Sequence, residues 1–270
     1  MEFAIADAAA YEVAKMLGKE EAAYLEERSH SWLNYFDKEV GYPRGKSSTG
    51  EWRADFNPYN ASRINNEYCE GNAWQYLWLV PQDLDKLIEC FGDVETTIEK
   101  LDGLFTADTK MEGEDVTPDI SGLIGQYVHG NEPSHHIIYF YTMLGQPWKG
   151  ADRLYEVMDT MYSTEVDGLS GYEDVGQLSA WYIMTTMGFY PVEPAAGKYV
   201  LGVPMVESAE IDVEGGIFRV ERKGYTPEKR YVQSVKLNGK KLKRNYITHE
   251  EVIAGGKLEF IMGKKQSCWY

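Results

Sequence analysis

The 270 residues carry 43 acidic against 27 basic side chains, a formal charge of −16, with 43% apolar and 13% aromatic residues. That balance excludes nucleic-acid binding through phosphate contacts, which needs clustered Lys and Arg, and the composition is that of a folded globular chain. Cys69, Cys90 and Cys268 form neither a metal spacing nor a full disulfide framework, and no apolar run approaches the ~20 residues that span a bilayer, so no membrane contact is expected.

The chain opens on MEFAIADAAAYEVAKML, which reads as an amphipathic helix to Leu17 with Gly18 as its stop. Its early acidic residues and lack of a basic start are unlike a signal peptide. A second helix is expected to carry Leu25, Trp32, Leu33 and Phe36 on one face. Gly41 to Asn60 is a long mixed loop, of a length that is frequently functional. A helix is expected to begin near Glu70 and end before Pro81. QDLDKLIECF and DVETTIEKLDGLF give two more, split at Gly92. Pro133 opens a helix to about Leu144, at a position where its missing N–H costs nothing. Ala151 to Tyr162 places Leu154, Val157, Met158 and Met161 on one helical face. The loop from Asp167 to Asp174 then leads into GQLSAWYIMTTMGFYPV. From Tyr199 short alternating segments follow (YVLGV, AEIDV, IFRVER, YVQSVKL, KLEFIM), with Asn238-Gly239 as a hairpin signal. The basic run Lys236 to Arg244 reads as that solvated hairpin. The expected fold is mainly α, with a helical region over 1–195 and a small antiparallel β-domain over 196–270.

Three loop-to-helix junctions are built alike. They are EGNAWQY from Glu70, GNEPSHH from Gly130 and GYEDVGQ from Gly171. Each combines Gly, amides and carboxylates and runs into aromatics. Helix capping is the plain reading of Glu70, Glu132, Glu173 or Asp174, because the first N–H groups of a helix are free. Glycoside hydrolysis is the sharper one. It needs two carboxyl groups flanking a sugar, one protonated and one ionised, with rings and amides around them. Glu70 and Asp174 suit that pair, and Asn72 and Trp74 suit its walls, although spacing alone does not select them from 43 acidic residues. Asn131 and Glu132 offer the oxygen ligands that Ca²⁺ takes. His129, His135 and His136 lack the HExxH spacing of a zinc site. VGYPRGKSS fails as a phosphate loop because Val40 stands where the first Gly must be. There is no GxSxG elbow and no GxGxxG after a strand.

With EGNAWQYLWLVPQD, GNEPSHHIIYFYTMLGQPWK, GYEDVGQLSAWYIMTTMGFYPV and the tail YVQSVKLNGKKL…YITHEEVIAGGKLEFIMG in series, the chain resembles glycoside hydrolase family 92, the calcium-dependent exo-acting α-mannosidases. The resemblance implies an N-terminal β-sandwich packed on an (α/α)6 toroid that returns to β-structure. It also implies inversion of configuration: a Glu protonates the leaving oxygen, an Asp activates water, and Ca²⁺ holds the 2- and 3-hydroxyls of the mannoside. Glu70 matches the acid and Asp174 the base. Asn131 and Glu132 match the calcium region. Asn72, Trp74, His135, Glu173 and Gln177 fall in the sugar-binding motifs. Relatives that cleave mannosyl phosphodiesters have Gln in place of Glu70. Tyr172 departs from the usual Asn or Asp, and a phenol supplies no negative charge near neutral pH. The resemblance also implies a partial toroid, starting partway round. Its open edge would then be covered by the preceding region or by a second copy. Periplasmic or extracellular location is implied by the family alone. The competing expectation is a sugar-binding fragment without turnover; a third is another (α/α)6 glycosidase or lyase.

Overall fold

The computed structural model describes all 270 residues. They divide into two units, residues 1–135 with 169–172, and residues 136–168 with 173–270.

The first unit contains α1 (Glu2–Met16), α2 (Ala22–Ser29), α3 (Ala73–Tyr76), α4 (Leu84–Phe91) and α5 (Val94–Thr106). It also holds two short ribbons, β1 (Phe36–Asp37) with β2 (Tyr42–Pro43), and β3 (Leu123–Ile124) with β4 (Tyr127–Val128). Small side chains on α1, Ala4, Ala8 and Ala14, are buried, and Arg28 of α2 bonds Asp7 of α1 at 2.9 Å. Gly18 stops the first helix with φ +63°, as its sequence position predicts. The second helix is shorter than expected. It ends at Ser29, and Ser31–Tyr35 form a 3-10 turn before β1. The cause is a buried acceptor: the Asp83 carboxylate takes the Trp32 indole N–H at 2.6 Å and the His30 ring at 2.7 Å, which turns the chain there.

Helices α4 and α5 part at Gly92 (φ +102°), and Asp93 caps α5 by accepting from the Thr96 N–H at 2.7 Å. α5 buries Ile98, Leu101, Leu104 and Phe105 at helical spacing. Each such side chain contributes roughly 1.5–3 kcal/mol. The helix expected from Glu70 to Pro81 is only the single turn α3. Every residue from Gln75 to Pro81 is buried, and a longer helix would have turned some of them to water.

Gly125, in the β3–β4 turn, has φ +60°, and a Cβ there would lie 2.5 Å from the Leu104 carbonyl oxygen. The next residue, Gln126, donates its N–H to that same oxygen at 2.7 Å. Gly125→Ala is therefore expected to destabilise the protein by about 2–4 kcal/mol, from left-handed strain plus the collision. Chemical denaturation checks this; an unchanged midpoint would show that the turn is not held against α5.

The second unit contains α6 (Phe140–Met143), α7 (Pro147–Thr160), α8 (Gln177–Met187) and α9 (His249–Ile253). Its strands are β5 (Phe189–Tyr190), β6 (Lys198–Leu201), β7 (Ser208–Val213), β8 (Gly216–Lys223), β9 (Tyr231–Leu237), β10 (Lys240–Lys241), β11 (Tyr246–Thr248) and β12 (Gly256–Gly263). The helix expected from Pro133 is instead broken into 3-10 turns at Glu132–Ser134 and Ile137–Tyr139, then α6. Burial again explains it, since residues 134–142 are all buried. On α7 the buried stripe is Pro147, Gly150, Ala151, Leu154 and Val157, so Met158 and Met161 lie beside it.

Five strands order as β10-β9-β12-β8-β7, and three as β11-β6-β5. The antiparallel expectation holds for every pair but one: β12 runs parallel to β8. The chain leaves for β11 and α9 before β12 returns between β9 and β8, and that excursion permits the parallel pairing. Phe218, Val220, Val235, Leu258 and Phe260 form the buried face. Asn238 (φ +50°) and Gly239 (φ +79°) make the predicted hairpin turn.

Candidate active site

In the first unit the EGNAWQY and GNEPSHH junctions meet at the loop before α3. Asn72 caps α3 by accepting from the Trp74 N–H at 3.0 Å, and the Gln75 side chain accepts from the Asn72 N–H at 2.7 Å. This capping box fixes the chain two residues after Glu70. The Glu70 N–H donates to the Tyr76 hydroxyl at 3.2 Å, and the Glu70 carbonyl accepts from the Asn131 side-chain amide at 3.2 Å. The Tyr76 hydroxyl in turn donates to Glu2 at 2.9 Å, and burial pushes that phenol above its ordinary pKa. The backbone of the half-buried Glu70 is thus gripped on both sides. Asn131 comes from 61 residues away.

Gly130 and Gly171 meet backbone to backbone. A Cβ on Gly171 would collide with the Gly130 carbonyl, and one on Gly130 would lie 2.7 Å from the Ser170 carbonyl. The GNEP and GYED motifs therefore touch where neither has a side chain.

Asn72 is fully buried, and its amide N–H₂ donates to the Gln126 carbonyl oxygen (Oε1) at 2.8 Å. Its part is to shape the loop. Trp74 is half-buried between Tyr42 (ring centroids 5.6 Å) and Tyr59 (5.8 Å). Gln126, which the sequence patterns do not single out, is completely buried. It accepts from Asn72 and Gln75 and donates to the carbonyls of Asp108 (2.6 Å) and Lys110 (2.9 Å). One amide thus ties three segments together behind Glu70.

Beside it runs a buried column of rings, Phe105 on Tyr127 (5.0 Å), Tyr127 by His129 (6.0 Å) and His129 by His135 (5.3 Å). His135 Nε2 donates to the His129 carbonyl at 2.9 Å, which defines its tautomer. Burial lowers the His135 pKa to about 4 and drives that of His129 well below the usual range, with the His135 neighbour adding to the latter. Unfolded histidine titrates near 6.5, so the unfolded chain takes up protons first as pH falls. Stability is full above pH ~6.5 and falls by roughly 1.4 kcal/mol per unit through His135 as pH drops toward about 4, with His129 acting in the same direction. Melting temperature should therefore decline from pH 7 to 5, and less steeply in His135→Gln. An identical decline in the variant would show that this histidine carries none of it.

In the second unit, Glu173 (φ +70°), Asp174 (+46°), Val175 (+58°) and Gly176 (+90°) form a continuous left-handed turn. Each non-glycine member costs roughly 1–2 kcal/mol, and a β-branched residue is a genuine outlier there. The turn is held by Glu173, whose carboxylate accepts from the Ser179 N–H (3.2 Å) and hydroxyl (2.8 Å). Glu173 thus ties the turn to Ser179 in the first turn of α8, whose N-cap is Gly176. Asp174 is exposed, on the turn that this contact holds. Strain of this kind persists only where surrounding bonds over-determine it. Gln177 donates to the Tyr190 hydroxyl at 3.0 Å, and Tyr190 stacks on Tyr139 at 5.3 Å.

A family profile described as the glycosyl hydrolase family 92 catalytic domain matches residues 1–264. Among solved structures, the chain is 35% identical to a family 92 α-mannosidase of Bacteroides thetaiotaomicron in complex with mannoimidazole. The TM-score is 0.89, over 99% of this chain and 36% of that one. It is 32% identical to an inverting family 92 mannosidase of the same organism, with TM-score 0.84, over 99% of this chain and 37% of that one. An uncharacterized secreted glycosidase of Arthroderma benhamiae is 27% identical over 94% of this chain and 34% of its own length. The chain thus spans about a third of the length of the relatives it matches.

Proposed function

The chain belongs to glycosyl hydrolase family 92, and from that membership we propose that the full-length protein is an inverting exo-α-mannosidase acting on terminal α-mannosides of glycans. Residues 1–195 would be the C-terminal part of an (α/α)6 toroid, followed by the β-domain. Glu70 protonates the leaving glycosidic oxygen. Asp174 takes a proton from the water that attacks the opposite face of the sugar, so the product forms with inverted configuration and no covalent intermediate. Tyr76 and Asn131 hold the backbone on either side of Glu70, which preorganises the acid. Glu173 anchors the turn bearing Asp174. Trp74 offers a ring and Gln177 an amide to the sugar.

Asn131 and Glu132 are hard oxygen donors and fit Ca²⁺ in kind. No group of three His, Cys, Asp or Glu side chains gathers as a metal site. The rest of the six to eight ligands that Ca²⁺ takes would then be carbonyls, water and the substrate's hydroxyls. When bound, the ion would grip two adjacent sugar hydroxyls and favour a distorted ring. The secreted relative supports a place outside the cytoplasm, and no helix is long and apolar enough to cross a membrane.

One observation carries the reading: motifs at Glu70, Asn131 and Gly171, distant in sequence, are joined by a hydrogen bond and a glycine-only contact. A second reading is a sugar-binding protein without turnover. Tyr172, 64% exposed just before Glu173, favours it, since it brings no negative charge to the base. The full-length protein decides between them. We expect mannose release from mannobiose, the β-anomer appearing first by NMR, and its loss on removal of calcium with a chelator. Binding without release would establish the second reading. Release of the α-anomer first would overturn inversion.

A further inference from the structure

Glu2 is the first residue of α1 and lies outside the three junction motifs. Its carboxylate nevertheless stands two hydrogen bonds from the backbone of Glu70. It accepts from the Tyr76 hydroxyl at 2.9 Å, and that hydroxyl accepts from the Glu70 N–H at 3.2 Å. Burial and then the Glu2 carboxylate raise the pKa of Cys69, the residue before Glu70. One carboxylate on α1 thus reaches both the neighbour of Glu70 and the side chain that holds its N–H. Glu2 and Tyr76 share a cavity of about 600 Å³ with Arg28 and Arg44. Both guanidiniums are paired elsewhere, with Asp7 (2.9 Å) and Asp37 (3.0 Å), which leaves Glu2 to Tyr76.

The grip of Tyr76 on Glu70 depends on where the phenol proton goes. A hydroxyl carries one proton and two lone pairs, and it can rotate. Tyr76 is buried, and its ring is placed by α3 and by Tyr68 at 4.9 Å between centroids. Its oxygen is therefore fixed, and only the proton can turn. With the proton on Glu2, a lone pair faces the Glu70 N–H. With the proton turned toward that N–H, two donors oppose each other. An ionised carboxylate only accepts, so Glu2 sets the direction. A charged acceptor makes the bond roughly twice as strong as a neutral one and polarises the hydroxyl into a better acceptor itself. Burial opposes ionisation of Glu2, but its own backbone N–H and the Tyr76 hydroxyl lead the groups that outweigh this and hold the carboxyl below its ordinary pKa.

We propose that Glu2 is a positioning residue for the acid: by orienting the Tyr76 hydroxyl it fixes the backbone of Glu70, and with it the carboxyl that protonates the leaving oxygen. This rests on Glu70 as the acid of a mannosidase.

The test uses the full-length enzyme on mannobiose, whose leaving sugar needs a proton, and on an aryl mannoside with a strongly acidic phenol, which needs none. Glu2 is half-exposed, so Glu2→Ala should leave the fold in place. It should lower kcat on mannobiose by about 5–20-fold, a fraction of the roughly 10²-fold that misplacement by an ångström costs. KM should change less than about twofold, the mark of an interaction realised in the transition state. The aryl mannoside should lose far less. Glu2→Gln keeps an acceptor oxygen and should recover most of the lost kcat. Tyr76→Phe cuts the same chain one link later, so adding Glu2→Ala to it should cost nothing further, as expected for contacts in series. Equal losses on the two substrates, no recovery in Glu2→Gln, or additive losses in the double variant would each overturn the assignment. Glu70→Gln is measured on the same pair. If it too loses equally on both substrates, the acid reading itself falls; if it discriminates and Glu2→Ala does not, the role of Glu2 falls alone.

Discussion

Replacing Glu70 by Gln is expected to lower kcat/KM of the full-length enzyme on mannobiose by about 10²–10⁴-fold, the usual contribution of general acid–base catalysis. The substitution keeps size and hydrogen-bonding shape. The Tyr76 and Asn131 contacts are made to the backbone of residue 70, so they survive it. On the proposed mechanism, what is lost is the proton for the leaving oxygen. An aryl mannoside with a strongly acidic phenol needs no such proton and should lose far less. The difference between the two substrates is therefore the signature of an acid rather than of a damaged pocket. Equal losses on both would make Glu70 a binding or structural residue. No loss on either would remove it from the mechanism.

Gln126→Leu is expected to destabilise the fold by about 2–6 kcal/mol: roughly 1–3 kcal/mol for the buried Asn72 amide left without its acceptor, and about 0.5–1.5 kcal/mol for each of the bonds to the carbonyls of the exposed Asp108 and Lys110. The shape is nearly conserved, but the Asp108 and Lys110 carbonyls lose their donor and Asn72 loses its acceptor. Gln75 keeps one bond, to the Gln126 backbone carbonyl at 2.9 Å. The loss is a large share of the roughly 5–15 kcal/mol typical of a domain. Asn72→Ala, which removes the α3 cap, should cost less, about 1–2 kcal/mol. Denaturant midpoints at constant slope measure both. A Gln126→Leu protein as stable as the original would mean that these bonds are equally well made to water.

Local rules succeed where the signal is local. The split at Gly92, the stop at Gly18 and the turn at Asn238-Gly239 each rest on one residue able to adopt a left-handed backbone, and each is found in place. The family is legible because its motifs are long and occur in series. Gln126 is the opposite case. In SGLIGQYVHGNEPSHH it occupies a hairpin turn, where a polar residue reads as solvated. Only the approach of that turn to the end of α5 and to the Asn72 cap buries it.

By itself the sequence determined that helices precede most of the strands, the family and the three motif junctions, because these depend on residue type and spacing along the chain. The tertiary structure decided how far helices run. Gln75 to Pro81 and residues 134–142 are buried on every side, and burial overrides the helical period there. It decided that β12 lies parallel to β8, since strand alternation is the same in either direction and only the path between strands sets the pairing. It also decided which polar side chains serve the architecture. Asn72, expected from sequence to line a sugar site, caps α3, and Glu173, expected there too, bonds Ser179 in the first turn of α8. A cap and a sugar contact need the same hydrogen-bonding atoms, and only the position of the partner tells them apart.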